Sequence, residues 1–495
     1  MRWLNSAEPI SWYNKMNGLV YIGYGVAVLL SIIAIVHVLM DNRQPAKTMA
    51  WALVILFVPV VGVVLYMFFG VNHRKRRLVN SRQMDELTKR SMLNFVEQQN
   101  LRVPERHKQL VDLFINQNLS LPFKDNQVDI ITDGYAFIPE LLKDIAQARH
   151  HIHMVMYIIE DDELGCLLAD ALKAKAREGI HVRIIYDDVG CWKVHRRFFE
   201  QLREEGVEVE PFLPVHFPSF TSKANYRNHR KVIVIDGRVG YIGGMNIARR
   251  YVKGLEQRST LPWRDTMLRL QGGVVYALQR TFLVDWYFVD RTLITDRVYY
   301  PPLSHELTTN SQQLIAQVVS CGPSSPYPEI MQGYVRAIMA ARRYIYIQTP
   351  YFLPTEPVLF ALKTAAMAGI DVRVMCPLRS DARFTEWASR SYLRELYEAG
   401  ARVLLYKTGF LHSKLMVVDD SLSTCGSTNV DFRSFENNFE ANVFLFDEGT
   451  ALRFKKIFLD DEAQSLSYAD LPARLHPKFK ARLWEGLTRL FSPLL

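Results

Sequence analysis

The sequence contains one short pattern twice, as His229-Arg230-Lys231-Val232-Ile233-Val234-Ile235-Asp236 and as His412-Ser413-Lys414-Leu415-Met416-Val417-Val418-Asp419. In each copy, a histidine and the lysine two residues later point to the same face of an extended chain. The four residues that follow are apolar on both faces, which is typical of a buried central strand. Two matched copies predict a duplicated α/β unit in which both copies serve one site.

The aspartates that close the two copies are positioned differently. Asp236 and Asp419 end their strands at turn signals, Asp236-Gly237 and Asp419-Asp420. As members of the pattern they belong to the candidate catalytic set, which comprises His229, Lys231, Asp236, His412, Lys414 and Asp419. Five residues after the lysine, however, each aspartate faces the other side of the sheet. We therefore interpret both aspartates as structural residues and not as catalytic bases.

Two histidines and two lysines are suited to chemistry at a phosphodiester. Two ammonium groups can stabilise the charge on the phosphate oxygens in the transition state without a metal. One imidazole can attack phosphorus, while the other protonates the leaving oxygen and then deprotonates the incoming hydroxyl. We therefore expect no metal and no other cofactor.

Each imidazole also needs a partner on its second ring nitrogen, which fixes the tautomer. Asp265 follows the first motif and Glu440 follows the second, and each opens an apolar strand pattern. We predict that these carboxylates orient the histidines, each acting on the histidine of its own half.

Other repeats mark the two halves. Ala148-Arg149-His150-His151 matches Ala341-Arg342-Arg343-Tyr344, and each segment leads to a tyrosine. Short apolar runs alternate with amphipathic stretches, which is typical of α/β layers. The predicted halves are residues 126–315 and 316–475, each with a βαβα order before the motif strand. They would pack sheet to sheet or side by side.

Residues 1–70 carry two apolar stretches. Residues 18–40 and 48–70 contain no Lys, Arg, Asp or Glu, and each is long enough to cross a hydrocarbon core of about 30 Å as a helix. This predicts a two-helix transmembrane hairpin. The connector carries two cations and the flanking segments carry seven, so the positive-inside rule places both termini and the catalytic halves in the cytoplasm.

Two further segments are basic. Residues 71–125 are predicted to be a juxtamembrane linker, and residues 476–495 a basic amphipathic helix that lies on the membrane or docks on the catalytic halves. The net charge of +9 indicates a polyanionic partner. The apolar stretches favour an anionic phospholipid membrane as this partner and argue against nucleic acid.

The paired patterns resemble the HKD signature of the phospholipase D superfamily. The N-terminal stretches and the chain end are similar to those of bacterial cardiolipin synthases, at Arg43, Ala50-Trp51, Pro59, Gly62, Tyr66 and Phe491-Ser492-Pro493-Leu494-Leu495. This resemblance implies transfer of a phosphatidyl group from one phosphatidylglycerol to another, with release of glycerol, at the cytoplasmic (inner) membrane of a bacterium. It also implies that His229 is the nucleophile and His412 the general acid and then base.

The resemblance extends to the glycine turns that follow the motifs, Gly243-Gly244-Met245-Asn246 and Gly426-Ser427-Thr428-Asn429. It implies that Asn246, Ser427 and Asn429 bind substrate. The first turn departs from the superfamily pattern because Gly244 stands where Ser427 stands in the second. We expect a hydroxyl contact to phosphate to be missing from the first half.

Three alternatives remain at this point. A hydrolytic phospholipase D would use the same residues with water as acceptor. A nuclease of the superfamily would explain the positive charge but not the apolar stretches. A scaffold without activity would need a broken motif, and both copies are intact.

Overall fold

The computed structural model describes residues 8–40, 45–70, 101–118, 120–215, 225–252, 262–302 and 314–494. One compact unit holds the N-terminal helices up to Gly70, and a second holds the two large sheets. Most of the predicted connector and the basic cluster Arg74 to Arg77 lie outside the described residues.

The N-terminal unit contains one helix that meets the length of a membrane span. Within α1 (Glu8–Met40), Val20–Met40 is long and apolar enough to cross a bilayer. The second predicted span is divided into α2 (Pro45–Phe57) and α3 (Pro59–Leu65), followed by a π-helical turn at Tyr66–Gly70. The division falls at Pro59 because proline lacks an amide N–H and its ring clashes with the carbonyl one turn earlier.

The two apolar stretches pack against each other. Val38 of α1 and Ile55 of α2 are buried in one small cluster with Tyr66. The Tyr66 hydroxyl lies 2.8 Å from His37 Nδ1. A Cβ at Gly62 would lie 2.6 Å from the Val54 carbonyl oxygen, so glycine permits the close approach after the break.

The first half folds around a seven-stranded sheet. After α4 (Glu105–Asn118) and β1 (Pro122–Phe123), the chain forms β2 (Gln127–Ile131), α5 (Gly134–Ala146), β3 (His151–Met156), α6 (Glu163–Arg177), β4 (His181–Asp187), α7 (Arg196–Glu204), β5 (Glu208–Phe212), β6 (Val232–Ile235), β7 (Val239–Gly243), β8 (Trp263–Arg264), β9 (Met267–Gln271) and α8 (Val274–Asp290). The strand order is β2-β9-β7-β6-β3-β4-β5. Strands β3, β4 and β5 are parallel, and the motif strand β6 is antiparallel to β3.

The second half repeats this arrangement. It contains β10 (Ile315–Cys321), α9 (Glu329–Ala340), β11 (Tyr344–Gln348), β12 (Phe352–Leu353), α10 (Glu356–Met367), β13 (Asp371–Pro377), α11 (Arg383–Glu398), β14 (Arg402–Tyr406), β15 (Phe410–Leu411), β16 (Leu415–Val418), β17 (Leu422–Gly426), β18 (Val430–Asp431), α12 (Phe432–Glu436), β19 (Glu440–Phe446), α13 (Glu448–Glu462), β20 (Ser465–Ser467), α14 (Pro472–Leu475) and α15 (Phe479–Arg489). The sheet order is β1-β10-β19-β17-β16-β11-β13-β14-β20. Its members from β10 to β14 match the first sheet strand for strand, which confirms the predicted duplicated α/β fold.

The two sheets share a core. Val232 and Val234 of β6 lie in the same buried cluster as Leu415 and Val417 of β16. The alternate residues of these strands face outward to separate clusters, which α5, α6 and α7 cover on the first sheet and α9, α10 and α11 on the second. The period of two in side-chain direction therefore gives each motif strand one face toward the other half.

Residues 101–125 belong to the second half and not to a linker. Leu110 and Phe114 of α4 are buried with Ile330 and Tyr334 of α9, and β1 pairs with β10. The apolar side of α4 is thus covered by the second sheet and its helices. The predicted linker is accordingly shorter than 71–125, and its residues 71–100 lie outside the described part of the chain.

Candidate active site

Two short backbone pairings join the halves beside the motifs. Strand β8 pairs in parallel with β15, and the amide of His412 donates to the carbonyl of Arg264 at 2.7 Å. In the equivalent position, the amide of His229 donates to the carbonyl of Phe439 at 2.9 Å. Each motif histidine therefore lies beside the residue that precedes the carboxylate of the other half.

The imidazole–carboxylate pairs are consequently crossed. Nδ1 of His229 lies 3.0 Å from Oε1 of Glu440, and Nδ1 of His412 lies 2.6 Å from Oδ2 of Asp265. The prediction of pairing within each half is wrong, although both carboxylates contact an imidazole. In each sheet the carboxylate strand is separated from the motif strand by one further strand, β7 or β17. Each motif histidine therefore lies closer to the carboxylate of the opposite half than to that of its own half.

These contacts define the state of both rings. A carboxylate can only accept a hydrogen bond, so Nδ1 of His229 carries a proton and donates it to Glu440. Nδ1 of His412 faces both the Asp265 carboxylate and, at 2.8 Å, Lys414 Nζ, and it donates to Asp265 when it carries the proton. Each Nε2 is then the nitrogen that can attack or transfer a proton. His229 and His412 are 8% and 6% exposed. The histidine and lysine of each motif precede β6 or β16 instead of lying within the strand.

Aromatic rings pack against both histidines. Tyr157 contacts His229 edge to face, with ring centroids 4.8 Å apart, and Trp263 lies 4.8 Å from His412. Sequence reasoning did not select these residues as site residues. The signal was present for Tyr157, because it ends one of the two repeated segments.

The two lysines are buried in the same centre. Lys231 Nζ donates to the carbonyl of His229 at 2.7 Å, and Lys414 Nζ donates to the carbonyl of His412. Burial and the charge of Lys414 lower the pKa of Lys231 to about 7. Burial lowers the pKa of Lys414 to about 8. The charge of one lysine acts on the other, as expected if both motifs form one site.

The carboxylates and imidazoles have complementary charge states. Burial lowers the pKa of His229 to about 4 against the opposing effect of Glu440, and burial with the charge of Lys414 lowers that of His412 to about 3. Burial would raise the pKa of Asp265, but Lys414 and His412 hold it below its usual value. His229 and Lys231 do the same for Glu440. At neutral pH the free site thus holds neutral imidazoles and ionised carboxylates.

The motif aspartates bind backbone amides. Asp236 accepts hydrogen bonds from the amides of Arg149, His150 and His151 at 2.8 to 2.9 Å. Asp419 accepts from Arg342, Arg343 and Tyr344 at 2.6 to 2.9 Å. These amides belong to the two repeated segments that the sequence analysis identified. The contacts fit the structural interpretation and give neither carboxylate a contact with an imidazole.

The residues predicted to bind substrate have partners within the protein. Asn246 accepts from the amide of Ile158 at 3.1 Å and donates to the hydroxyl of Tyr251 at 2.7 Å. The amide of Asn429 donates to Ser434 Oγ at 3.2 Å, while its side-chain oxygen is buried without a hydrogen-bond partner. The side chain of Asn246 therefore links Ile158 to Tyr251 within the first half. The side-chain oxygen of Asn429 remains able to accept a hydrogen bond.

Gly244 and Ser427 lie in different surroundings within the protein. The Ser427 hydroxyl donates to the Glu440 carboxylate. At Gly244, a Cβ would lie 2.1 Å from Oδ1 of Asp265. The first half therefore has a glycine because the carboxylate occupies the space that a serine would need. The expectation that the first half lacks a hydroxyl contact to phosphate stays a prediction.

The fold and the site define a duplicated α/β phosphodiester-processing unit. Comparisons with known proteins identify the family to which it belongs. The family described as cardiolipin synthase, PLD-like domain, has a model that matches residues 141–260 and 334–461. The model described as phospholipase D-nuclease N-terminal matches residues 29–70. The chain belongs to the cardiolipin synthase family with a PLD-like domain.

Individual relatives cover nearly the whole chain. The cardiolipin synthase of Geobacillus sp. (strain WCH70) is 38% identical over 98% of this chain and 95% of its own. The major cardiolipin synthase ClsA of Bacillus subtilis (strain 168) is 38% identical over 94% of this chain and 98% of its own. The crystal structure of a phosphatidylserine synthase from Haemophilus influenzae Rd KW20 has a TM-score of 0.59 at 15% identity, covering 78% of this chain and 100% of that one. At this identity it supports the fold alone.

The pKa values predict a bell-shaped pH profile for kcat/KM. Activity should fall as the pH drops through about 4, where His229 gains a proton and cannot attack. It should also fall as the pH rises through about 7 to 8, where Lys231 and Lys414 lose their charge. The profile should be measured with a phosphodiester in a fixed detergent, because kcat/KM reports the groups of the free enzyme.

Lys231→Arg is the matched variant for this profile, because Lys231 has the lower pKa of the two lysines and loses its charge first. Its guanidinium stays charged at any accessible pH, so the remaining activity should fall only as Lys414 loses its proton, at higher pH than in the wild type. A wild-type kcat/KM that is constant from neutral pH to about pH 10 would contradict the assignment.

Proposed function

We propose that this chain is a membrane-bound phosphatidyltransferase that forms cardiolipin and glycerol from two molecules of phosphatidylglycerol. The observation that carries the proposal is the pair of crossed imidazole–carboxylate contacts around two buried lysines. Membership of the cardiolipin synthase family supports the choice of substrate. An anionic phosphodiester matches a site that places two ammonium groups together.

In the first step, Nε2 of His229 attacks the phosphorus of the donor. The bond from phosphorus to the glycerol oxygen breaks, and His412 gives its proton to that oxygen. The products are phosphatidyl-His229 and glycerol. Lys231 and Lys414 stabilise the charge on the phosphate oxygens during the transfer, so the step needs no cofactor.

The charge of the bound substrate allows His412 to take up from solvent the proton that this step needs. In the free site, two ammonium groups balance two carboxylates, and both imidazoles are neutral. A bound phosphodiester adds one negative charge, which raises the pKa of nearby groups that ionise to cations. Protonation of His412 restores the balance, and the adjacent carboxylate of Asp265 stabilises the imidazolium.

In the second step, His412 acts as a base. It removes the proton from the primary hydroxyl of a second phosphatidylglycerol, and the resulting oxygen attacks phosphorus. The bond between phosphorus and His229 breaks, which releases cardiolipin and restores the neutral nucleophile. His412 ends the cycle protonated and returns this proton to solvent when the anionic product leaves, so the cycle consumes no net proton.

The reaction can be tested directly with purified full-length protein and labelled phosphatidylglycerol in mixed micelles. We expect cardiolipin and glycerol in equal amounts, at a rate that EDTA does not change because the lysines supply the positive charge. His229→Ala is the inactive control. Phosphatidic acid as the main product would identify a hydrolytic phospholipase D, and loss of activity with EDTA that one divalent ion restores would contradict the mechanism.

The crossed pairs give each carboxylate a separate task. With a phosphatidyl ester whose leaving group needs no proton, Glu440→Gln should slow formation of the His229 adduct by about two orders of magnitude or more, because the nucleophile loses its orienting charge. Asp265→Asn should form the adduct but stall before cardiolipin, because His412 is impaired. The adduct is measured by mass spectrometry.

Each of these variants is the control for the other, and melting temperatures report whether both remain folded. The opposite pattern, with an adduct on His412 in Glu440→Gln and none on His229 in Asp265→Asn, would reverse the roles of the histidines. Near-normal rates in both variants would show that neither carboxylate orients an imidazole.

The membrane arrangement is a further part of the proposal. Both apolar stretches cross the inner membrane as a hairpin, and the catalytic unit lies in the cytoplasm. The segments that flank the two stretches carry seven cations and the connector carries two, which supports this orientation by the positive-inside rule. The packing of α1 against α2 and α3 supports the pairing of the stretches, because a neighbouring helix can cover the backbone freed at Pro59.

This orientation predicts the accessibility of cysteines in intact cells. Asn42→Cys in the connector should react with an impermeant maleimide added outside. The native Cys166 is exposed in the first half and should react only after the membrane is permeabilised. The reverse pattern would place the catalytic unit on the outer side.

A further inference from the structure

The C-terminal helix α15 is oriented opposite to an ordinary surface helix. Its buried residues include Glu485 and Thr488, each 1% exposed, and Ser492 in the turn that follows is fully buried. Its large apolar residues point outward. A surface helix of a water-soluble domain shows the reverse arrangement, with its apolar side toward the core.

Polar contacts hold the buried side of α15 on α11. Glu485 forms an ion pair with Arg394 at 2.7 Å. Arg489 forms one with Glu395 at 2.8 Å, and its guanidinium lies over the ring of Tyr392 at 4.0 Å. The helix is therefore fixed in this orientation by specific partners.

The outer side of α15 and the turn after it present an apolar surface. We name this surface the C-terminal apolar face, and it consists of Phe479, Leu483, Trp484, Leu487, Leu490 and Phe491, which are between 43% and 79% exposed. Phe384 of α11 extends it, with its ring 5.7 Å from that of Phe491. An exposed apolar surface of this kind marks a site of contact.

Charge identifies the partner. Lys478, Lys480 and Arg482 are exposed at the start of the helix, beside the apolar face. Exposed cations next to aromatic and leucine side chains are the pattern of a helix that lies in the interface of an anionic bilayer. A membrane with negative headgroups complements both properties at once.

The same region is connected to the catalytic centre. The turn Ser492–Leu494 packs against α12, which carries Arg433. The charge of Arg433 acts on the hydroxyl of Tyr157, and Tyr157 packs against His229. A bilayer at the C-terminal apolar face would therefore lie near the elements that line the nucleophile.

We propose that α15 is an interfacial helix whose apolar face inserts into the headgroup region of an anionic bilayer. It provides the catalytic unit with its own contact to the membrane surface, separate from the N-terminal helices. The contact holds the catalytic unit at the surface that contains lipid phosphodiesters. The proposal does not depend on which phosphodiester the site cleaves.

Depth measurements on the full-length protein test this contact. In a Cys166→Ser background, Leu487→Cys carries an environment-sensitive fluorophore, and the protein is placed in vesicles that contain lipids with a shallow quencher. The fluorophore should be quenched in phosphatidylglycerol-rich vesicles and less in phosphatidylcholine vesicles. The matched control is the same fluorophore on native Cys166, which is on the first half and should remain unquenched.

A functional measurement separates membrane contact from folding. Leu483→Ser combined with Leu487→Ser should reduce activity on phosphatidylglycerol vesicles by about tenfold or more, yet leave activity in detergent micelles unchanged, because micellar substrate reaches the site without a bilayer. Lys480→Glu with Arg482→Glu should weaken quenching in anionic vesicles only.

Three outcomes would overturn the proposal. The first is a fluorophore at position 487 that remains in water in both kinds of vesicle, and the second is equal quenching at Cys166. The third is a fluorophore at position 487 that leaves water in detergent as the protein concentration rises, with no dependence on lipid. This result would identify a second copy of the chain as the partner of the apolar face. Loss of cardiolipin formation in both assays with normal quenching would bear on the proposed function alone.

Discussion

The hydrogen bonds between each imidazole and the carboxylate of the opposite half are the contacts on which the site depends. They place two lysines, two carboxylates and two histidines in one buried centre, and neither half alone contains a complete pair. A buried charge that loses its partner costs about 3–5 kcal/mol. The charge balance of the centre therefore couples the chemistry to the association of the two sheets through their shared core.

The duplication is symmetric in its backbone and asymmetric in its side chains. The strands of the two sheets follow the same order, and Asp236 and Asp419 bind equivalent amides. At the site, however, the shorter Asp265 occupies the space beside Gly244, while the longer Glu440 accepts a hydrogen bond from Ser427. In each half, the carboxylate therefore fits the residue at the second position of the glycine turn beside it. The two carboxylates, and the histidines that they contact, therefore lie in different environments.

The chemical parts of the site could be read from the sequence. The spacing of His229 and Lys231, repeated at His412 and Lys414, indicated phosphodiester chemistry, and the repeated segments indicated the duplicated α/β fold. Tyr157 and Trp263, which pack against the motif histidines, were not selected. Aromatic residues are common, and a single sequence does not show whether one lines a site or packs in the hydrophobic core. The structure divides the second apolar stretch into two helices at Pro59, a break that hydropathy alone does not register.

The sequence by itself determined which residue types are present, how often the pattern recurs and which strands are buried on both faces, since these follow from local spacing and composition. Only the tertiary structure decided that Glu440 serves His229 and that Asp265 serves His412. It also decided that α4 joins the second half and that α15 turns its polar side inward. Such contacts join residues far apart in the chain, and their energies depend on which sheet faces, helices and turns meet. No local pattern of residues contains that information.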